Sequence, residues 1–504
     1  MSTASPLASN KADSPLIRIL QRIFSFPVML AVLLAVLAVL TVRARFDDPD
    51  MWWHLKMGEV IWTTHAIPLT DIFSFTTNHH ALIPQEWLAQ LAIYGAFKYG
   101  GFSGLMFCFC LVTSTLVIAG YALCSLYSRN LKVAFVGAML IWLFGTIGFA
   151  IRPQMVGYLL LIAELLLLHL GHTRNPRWFF CLPILFALWI NCHGSFILGI
   201  VVAGIFLFAS FFSFQIGSLK SRHWDSACRR ILILALLLSV AALFLNPVGA
   251  KQILYPFDTL LNMHIQMANV EEWAPLNMTG ERGIALMAVL LCSFLLVAVR
   301  RSDLFFDELM LLAMGTWLAA SHVRLLIVFG ILAAPILSRQ LSTSWEGYDQ
   351  KKDRIWPNAV MIGTSLVVLF LAFPSNANLE RQVESQNPVR AVQFIKTSHL
   401  SGPMLNEYGF GGYLIWAAPE HPVFVDGRGD VFEWSGVLDE FNGWEELQSD
   451  PNALLQKYGI SFCLLSRQSP MARLLPLLHE WKIAYSDNNA VVLVRAASGN
   501  PAEQ

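Results

Sequence analysis

The sequence predicts a polytopic α-helical membrane protein of about 11 transmembrane helices, with a C-terminal α/β extracytoplasmic domain. Three observations carry that expectation. The chain has 504 residues, of which 56% are hydrophobic and only 13% charged, with mean hydropathy +0.56; soluble domains carry about 25% charged residues. Apolar runs of helical length follow one another as far as residue 374. Basic residues gather in alternate connections, as the positive-inside rule requires.

Residues 1–23 are polar and mildly basic (Lys11, Arg18, Arg22) and read as a cytoplasmic tail. The run 24–42 resembles a signal peptide only superficially. It is longer than an h-region of about 7–15 residues, and Arg43 and Arg45 stand where a cleavage site needs small residues. It therefore reads as a retained anchor. Residues 43–101 form one large external loop. Within that loop, 84–99 begins with Gln85 and Glu86 and carries Lys98. As a crossing it would invert every later loop, so it reads as an amphipathic helix in the outer interface.

Further spans are expected at 102–127, 131–150, 154–170, 178–192, 194–214, 230–246, 283–299, 306–320, 323–338 and 358–374, completing a transmembrane domain over 24–374. Several fall short of the ~20 residues of a full crossing, which implies broken or tilted helices. With the N-terminus in the cytoplasm, the inner connections carry Arg129 and Lys132, Arg174 and Arg177, Lys220 to Arg230, Arg300 and Arg301, and Arg339 to Arg354. The outer ones hold Asp47 to Asp50, Asp71, Glu86, Glu271 and Glu272. An odd number of crossings leaves residues 375–504 outside. There a helix is expected at 387–398, strands at 422–426, 461–466, 482–486 and 490–495, and a helix at 471–481, the alternation of a small α/β domain.

Composition also excludes. Lys plus Arg equals Asp plus Glu, 34 each, so charge indicates no nucleic-acid partner. Most of the eight cysteines lie in apolar runs and read as small core residues. Only Cys463 falls beyond residue 374, so that region holds no internal disulfide. No Walker A, G-x-G-x-x-G, G-x-S-x-G or H-E-x-x-H pattern occurs, and no nucleotide is expected.

The stretch richest in chemistry is Phe46-Asp47-Asp48-Pro49-Asp50-Met51-Trp52-Trp53-His54-Leu55, at the mouth of the first span. Asp48 and Asp50 are two residues apart and flank a proline that fixes φ, a spacing able to share a divalent cation such as Mg²⁺ or Mn²⁺. Asp50 and His54 share a helix face. The same acids also suit the N-cap of a helix starting at Met51, and spacing alone leaves both readings open. Polar groups interrupt three apolar stretches near the outer ends: Arg152, then His193 in Asn-Cys-His-Gly-Ser, then His322 and Arg324. Charges at that depth default to a functional reading. Arg152 and Arg324 suit a phosphate, against the alternative that each snorkels to the interface. Glu164 sits at another depth and reads as paired inside the bundle. Glu271 and Glu272 offer further acids or solvated loop charges. Asp426 and Arg428, in Phe-Val-Asp-Gly-Arg-Gly-Asp, mark the edge of a binding face or an ordinary turn.

The acidic motif after the first span, the interfacial helix and the external C-terminal region resemble the GT-C class of integral membrane glycosyltransferases. More narrowly, Asp48-Pro49-Asp50-Met51-Trp52-Trp53-His54-Leu55, then Pro68, Asp71, Phe73-Ser74-Phe75-Thr76 and Glu86-Trp87-Leu88 resemble a widespread bacterial family. Its members run D-P-D-x-W-W-H-L, P-x-x-D-x-F-S-[YF]-T and E-W-L. Gly411-Gly412-Tyr413-Leu414 and Val425-Asp426-Gly427-Arg428 match the same family.

The resemblance implies a GT-C-like fold in the bacterial inner membrane and transfer of a sugar from a polyprenyl-phosphate-linked donor to an acceptor on the outer side. Asp48 or Asp50, with His54 beside them, would be catalytic or hold a metal; the extra Asp47 leaves the assignment open by one. Arg152, Arg324 and His322 would hold the donor phosphate. Asp71, Glu86, His193, Glu271, Glu272, Asp426 and Arg428 would serve the acceptor or support the site. The implied partners are the lipid-linked donor and membrane lipids. Two other classes compete: a transporter or flippase-like protein, which would explain the broken helices, and a scaffold of envelope polysaccharide assembly whose acids are structural caps.

Overall fold

A computed structural model of the chain describes residues 15–77, 80–262 and 273–496. Its helices follow the apolar runs. A short amphipathic α1 (Pro15–Ile23) leads into α2 (Phe26–Val42), where Pro27 occupies a first-turn position that needs no N–H. Beyond α2, α3 (Asp50–Thr64) starts at the second acid of the motif. Then α4 (Trp87–Ser128) runs as one element broken at Gly101, whose φ is 57°. The part expected to lie in the interface is thus continuous with the following span and separated from it by that break.

The remaining helices are α5 (Leu131–Gly145), α6 (Gln154–Thr173), α7 (Leu182–Cys192), α8 (Phe196–Ala209), α9 (Ser226–Ala242), α10 (Ala250–Asn262), α11 (Glu281–Ala298), α12 (Phe306–Ser321), α13 (Leu326–Leu341) and α14 (Ile355–Ala372). Every predicted span contains one of these helices or part of one. Five stretches are long and apolar enough to cross a bilayer: α4, α6, α11, α14, and α13 with the turn before it (Val323–Leu341). Shorter apolar helices, α2, α5, α8 and Pro176–Cys192, stand beside them. The chain is a multi-pass membrane protein.

At the centre, α13 is buried continuously from Leu326 to Ser338, as a helix apolar all round must be. Phe329 meets Phe144 of α5 edge-on, ring centres 5.6 Å apart. At the end of the bundle that carries the basic connections, Arg222 binds Asp307 (2.8 Å) and Glu308 (2.6 Å), and Arg339 closes on Glu308 from the other side. The adjacent strands β1 (Gln215–Ile216), β2 (Leu219–Lys220) and β3 (Leu304–Phe305) form a small sheet there. Glu164 departs from expectation: it is buried in α6 against Gly199 and, among the described residues, has no ion-pair partner. Its neighbours on α8 are apolar or glycine.

The C-terminal segment holds helices α15 (Asn376–Gln386) and α16 (Val389–Thr397) and strands β4 (Met404–Asn406), β5 (Phe462–Ser466), β6 (Trp481–Ser486) and β7 (Ala490–Arg495). The sheet order is β4-β5-β7-β6, with β4 parallel to β5 and the other pairs antiparallel. Two sequence expectations fail here. The predicted helix at 471–481 is only Pro470–Leu474 followed by a 3₁₀ turn, and Trp481 already opens β6. The predicted strand at 422–426 is extended but joins no sheet. Asn406 takes its backbone groups instead, accepting the Phe424 N–H (2.8 Å) and donating to the Val425 carbonyl (2.7 Å). The segment between α3 and α4 supplies the rest through a Ser74–Val423 bridge and a hydrogen bond from Thr76 to the Phe424 carbonyl.

A buried triad fastens the two parts at that junction. Arg428 donates two bonds to Asp426 (2.8 and 2.6 Å) and a third to Asp71 (2.5 Å). Asp71 also accepts from Ser74, Thr77 and the Phe73 N–H. Burial acts to raise the Asp71 carboxyl, but Arg428 and these donors outweigh it and hold the group below the ordinary carboxylate value.

Removing one member of a buried ion pair costs about 3–5 kcal/mol, because the partner charge stays behind unpaired. Arg428→Met, which leaves Asp71 and Asp426 facing each other, should destabilise the protein by about that amount. Asp71→Asn should cost less, since the two-bond pair with Asp426 survives. Denaturant unfolding of the purified variants checks this; a parent-like midpoint for Arg428→Met would mean the triad fastens nothing.

Candidate functional site

The acidic motif is drawn inward by an arginine 104 residues away in sequence. Arg152 stands just before α6, where Pro153 fixes the helix start. Its Nε and Nη2 donate to the two oxygens of Asp48 at 2.5 and 2.7 Å, a fork-to-fork pair. Its Nη1 reaches Asp50 Oδ2 at 3.0 Å. Asp48 also accepts the Asp50 N–H (3.0 Å), so it binds the opening of α3 and the arginine together. The capping and site readings of the motif are therefore not alternatives. Asp47 is exposed while Asp48 is 8% exposed, which removes Asp47 from the cluster.

Around this pair stand groups from several other segments. Glu86, just before α4, lies 3.6 Å from His54 Nδ1 and 3.6 Å from His193 Nε2. Gln90 Nε2 lies 3.2 Å from His54 Nδ1. His193 Nδ1 accepts the Ser195 N–H (3.1 Å) and meets the Ser195 hydroxyl, which in turn accepts from Trp189. Arg324 donates to Gln154 and lies over the Trp273 ring, 5.5 Å from its centre. His322 faces the Trp273 carbonyl through Nδ1 (2.8 Å), so it braces the loop carrying that ring. Glu271 and Glu272 lie outside the described residues.

The C-terminal segment completes the cluster. Gly427 presses on the acidic motif: a Cβ there would fall 1.8 Å from Asp50 Oδ1, so no side chain fits. Asp426 and Arg428, on either side of it, belong to the triad with Asp71. Asp430 accepts a hydrogen bond from Tyr255 of α10, tying the outer loop to the same place. Sequence reasoning assigned no role to Tyr255, Asp430, Gln154 or Gly427. For three of them a signal existed: Asp430 and Gly427 share the run of Asp426 and Arg428, and Gln154 sits two residues from Arg152.

Burial sets the ionisation here. It pushes the Asp50 carboxyl up to about 6, with Asp48 adding to the rise and Arg152 and Arg324 opposing it. It pushes Glu86 up to about 8, opposed chiefly by Arg324 and reinforced by Asp50 and Asp430. Burial and the nearby Arg324 charge hold His193 down at about 3; burial, then Arg152, His193 and Arg324, holds His54 well below its ordinary value. At neutral pH both imidazoles are therefore neutral.

A divalent cation does not fit the acids as arranged. Both oxygens of Asp48 and one of Asp50 are engaged by Arg152, whose guanidinium supplies the positive charge between them. Among the described residues, no three His, Cys, Asp or Glu side chains gather as a ligand set.

No protein-family model matches the sequence, and no curated protein is similar to it. Solved structures share its fold. AglB, the archaeal oligosaccharyltransferase of Archaeoglobus fulgidus in complex with an inhibitory peptide and a dolichol-phosphate, superposes with TM-score 0.54 at 11% identity, over 94% of this chain and 74% of that one. ArnT from Cupriavidus metallidurans bound to undecaprenyl phosphate superposes with TM-score 0.52 at 12% identity, over 93% of this chain and 98% of that one. The chain thus shares its fold with both, as the resemblance to the GT-C class implies.

Gly427→Ala tests the close approach. Its methyl must displace either Asp50 or the C-terminal loop, and overpacking costs typically 1–3 kcal/mol. The variant should unfold at lower denaturant by about that amount, whereas Gly443→Ala, in open space on the C-terminal segment, should not. Equal stabilities would show that the loop does not bear on Asp50.

Proposed function

We propose that the protein is a membrane glycosyltransferase that moves a sugar from a polyprenyl-phosphate-linked donor to an acceptor on the outer side of the membrane. The chain then crosses eleven times, with the N-terminus in the cytoplasm and the C-terminal segment outside as an α/β domain. One observation carries the reading: two carboxylates and two arginines from separate segments are gathered at the mouth of the helices, on a fold shared with enzymes solved in complex with lipid phosphates.

Each residue then has a task. Asp48, held by two bonds, fixes the plane of Arg152. Asp50, with a carboxyl near 6, is ionised at neutral pH yet basic enough to take a proton from an acceptor hydroxyl. Arg324 and Arg152 place positive charge where the donor's phosphate would lie, and a guanidinium matches phosphate oxygens in geometry as well as charge. No step requires a metal.

Asp50→Asn should lower turnover by roughly 10²–10⁴-fold, the usual weight of a general base, in an assay with a labelled polyprenyl-phosphate sugar. An active variant removes Asp50 from the chemistry. A hydrogen bond to a charged group is worth about 1.5–3 kcal/mol. Arg324→Ala should therefore weaken undecaprenyl phosphate binding roughly ten- to a hundredfold, and Arg324→Lys should recover only part of it. Parent-like binding by Arg324→Ala moves the phosphate elsewhere. Orientation is read by protease treatment of right-side-out vesicles: residues 375–504 should be cut and the loop at 215–230 protected, and the reverse pattern inverts the topology.

A further inference from the structure

The base proposed above accounts for one proton only. When the bond between sugar and phosphate breaks, its electron pair stays on a phosphate oxygen, and the leaving lipid phosphate gains negative charge inside a buried cluster. Asp50 cannot relieve that charge, because it is occupied with the acceptor's proton. Glu86 is placed to do so. Each of its carboxyl oxygens faces an imidazole at 3.6 Å, beyond hydrogen-bonding distance, and neither ring brings a positive charge. His193 is fixed by Ser195 with Nδ1 as acceptor, which puts its hydrogen on Nε2, toward Glu86.

The titratable and charged groups acting on Glu86 or responding to it come from every side: Asp50 and His54 of α3, Arg152 before α6, Cys192 and His193 at the end of α7, Tyr255 of α10, Arg324 before α13, and Asp430 of the C-terminal segment. Arg324 has the largest influence among them. Through His54, four residues from Asp50 on one face of α3, the carboxyl belongs to the same cluster as Asp50 and Arg152.

We propose that Glu86 is the proton donor to the departing lipid phosphate. This inference rests on the lipid-phosphate reading and extends it. The acceptor oxygen bonds to the anomeric carbon and its proton passes to Asp50. The bond from that carbon to the phosphate oxygen breaks, its electron pair going to the oxygen, which takes the proton of Glu86. Asp50 then loses its proton to solvent and Glu86 regains one, so the cycle is balanced. Burial supplies what the role needs, since a carboxyl raised to about 8 carries its proton at neutral pH. A buried glutamic acid that merely fills space between two histidines would have no link to the phosphate.

The test uses the full-length protein in detergent with undecaprenyl phosphate as probe, its affinity measured between pH 6.5 and 9.5. Below the carboxyl's own value the proton is present and the phosphate is tolerated. Above it the carboxylate repels the phosphate. The parent's affinity should be flat up to about pH 8 and then fall by up to about tenfold per pH unit, the slope of one linked proton. Glu86→Gln, which cannot ionise, should stay flat throughout. A parent flat to pH 9.5, or a parent and variant that fall together, overturns the role of Glu86 while leaving the phosphate site intact. A parent that does not bind the lipid phosphate at any pH overturns the site, and this inference with it. If Glu86→Gln does not fold, Glu86→Asp replaces it: the alkaline fall must persist with a shifted midpoint, and an unshifted midpoint assigns it to another group and overturns the proposal.

Discussion

Arg152 grips Asp48 through two parallel hydrogen bonds, and one end of the helical bundle is arranged around that contact. Taking two charges out of water costs several kcal/mol for each ion, which only close geometry and further hydrogen bonds offset. Both conditions are met. Pro153 fixes the backbone behind the arginine, and Asp48 spends a further lone pair on the opening of α3. The pair thereby holds a loop against a transmembrane helix and leaves Asp50 beside the same guanidinium. Asp50 consequently has its charge partly compensated, in keeping with the general base proposed above.

The C-terminal segment shares in this arrangement. Gly427 touches Asp50, Asp430 reaches Tyr255, and the Asp71–Arg428–Asp426 triad binds the first loop from behind. A segment fastened by a buried triad lends rigidity to what it touches. Asp48 and the start of α3 depend on such support, because Asp48 precedes the helix and Asp50 is its first residue. The two ends of the chain, nearly 400 residues apart, therefore complete one site.

Much of this was legible in the sequence, for identifiable reasons. The helices were visible because a span needs an unbroken apolar run. Arg152, His193 and Arg324 were placed together because interruptions at equal depth meet at one face. Pairing was not legible. Nothing in the spacing tells Asp48 that its partner is Arg152, or that Asp71 and Asp426 share Arg428, since those contacts exist only once the helices have packed. The stretch 422–426 misled for a related reason. It has the pattern of a strand, but a side chain of Asn406 and the residues around Ser74 satisfy its backbone. Strand β4, three residues long, is too short to stand out from a turn. Glu86 showed as an acid at a helix start and as a residue serving the acceptor or supporting the site, and the two imidazoles that folding brings to it were not legible.

The central claim is that the groups around Arg152 and Arg324 form the seat of a lipid phosphate. An experimental structure of the protein with undecaprenyl phosphate tests it most directly. The expected result is phosphate density within hydrogen-bonding distance of Arg324 or Arg152, on the side that Glu86 and Asp50 face, with the lipid chain leaving between helices. A phosphate bound elsewhere, with the Asp48–Arg152 cluster unchanged and empty of lipid, would contradict it.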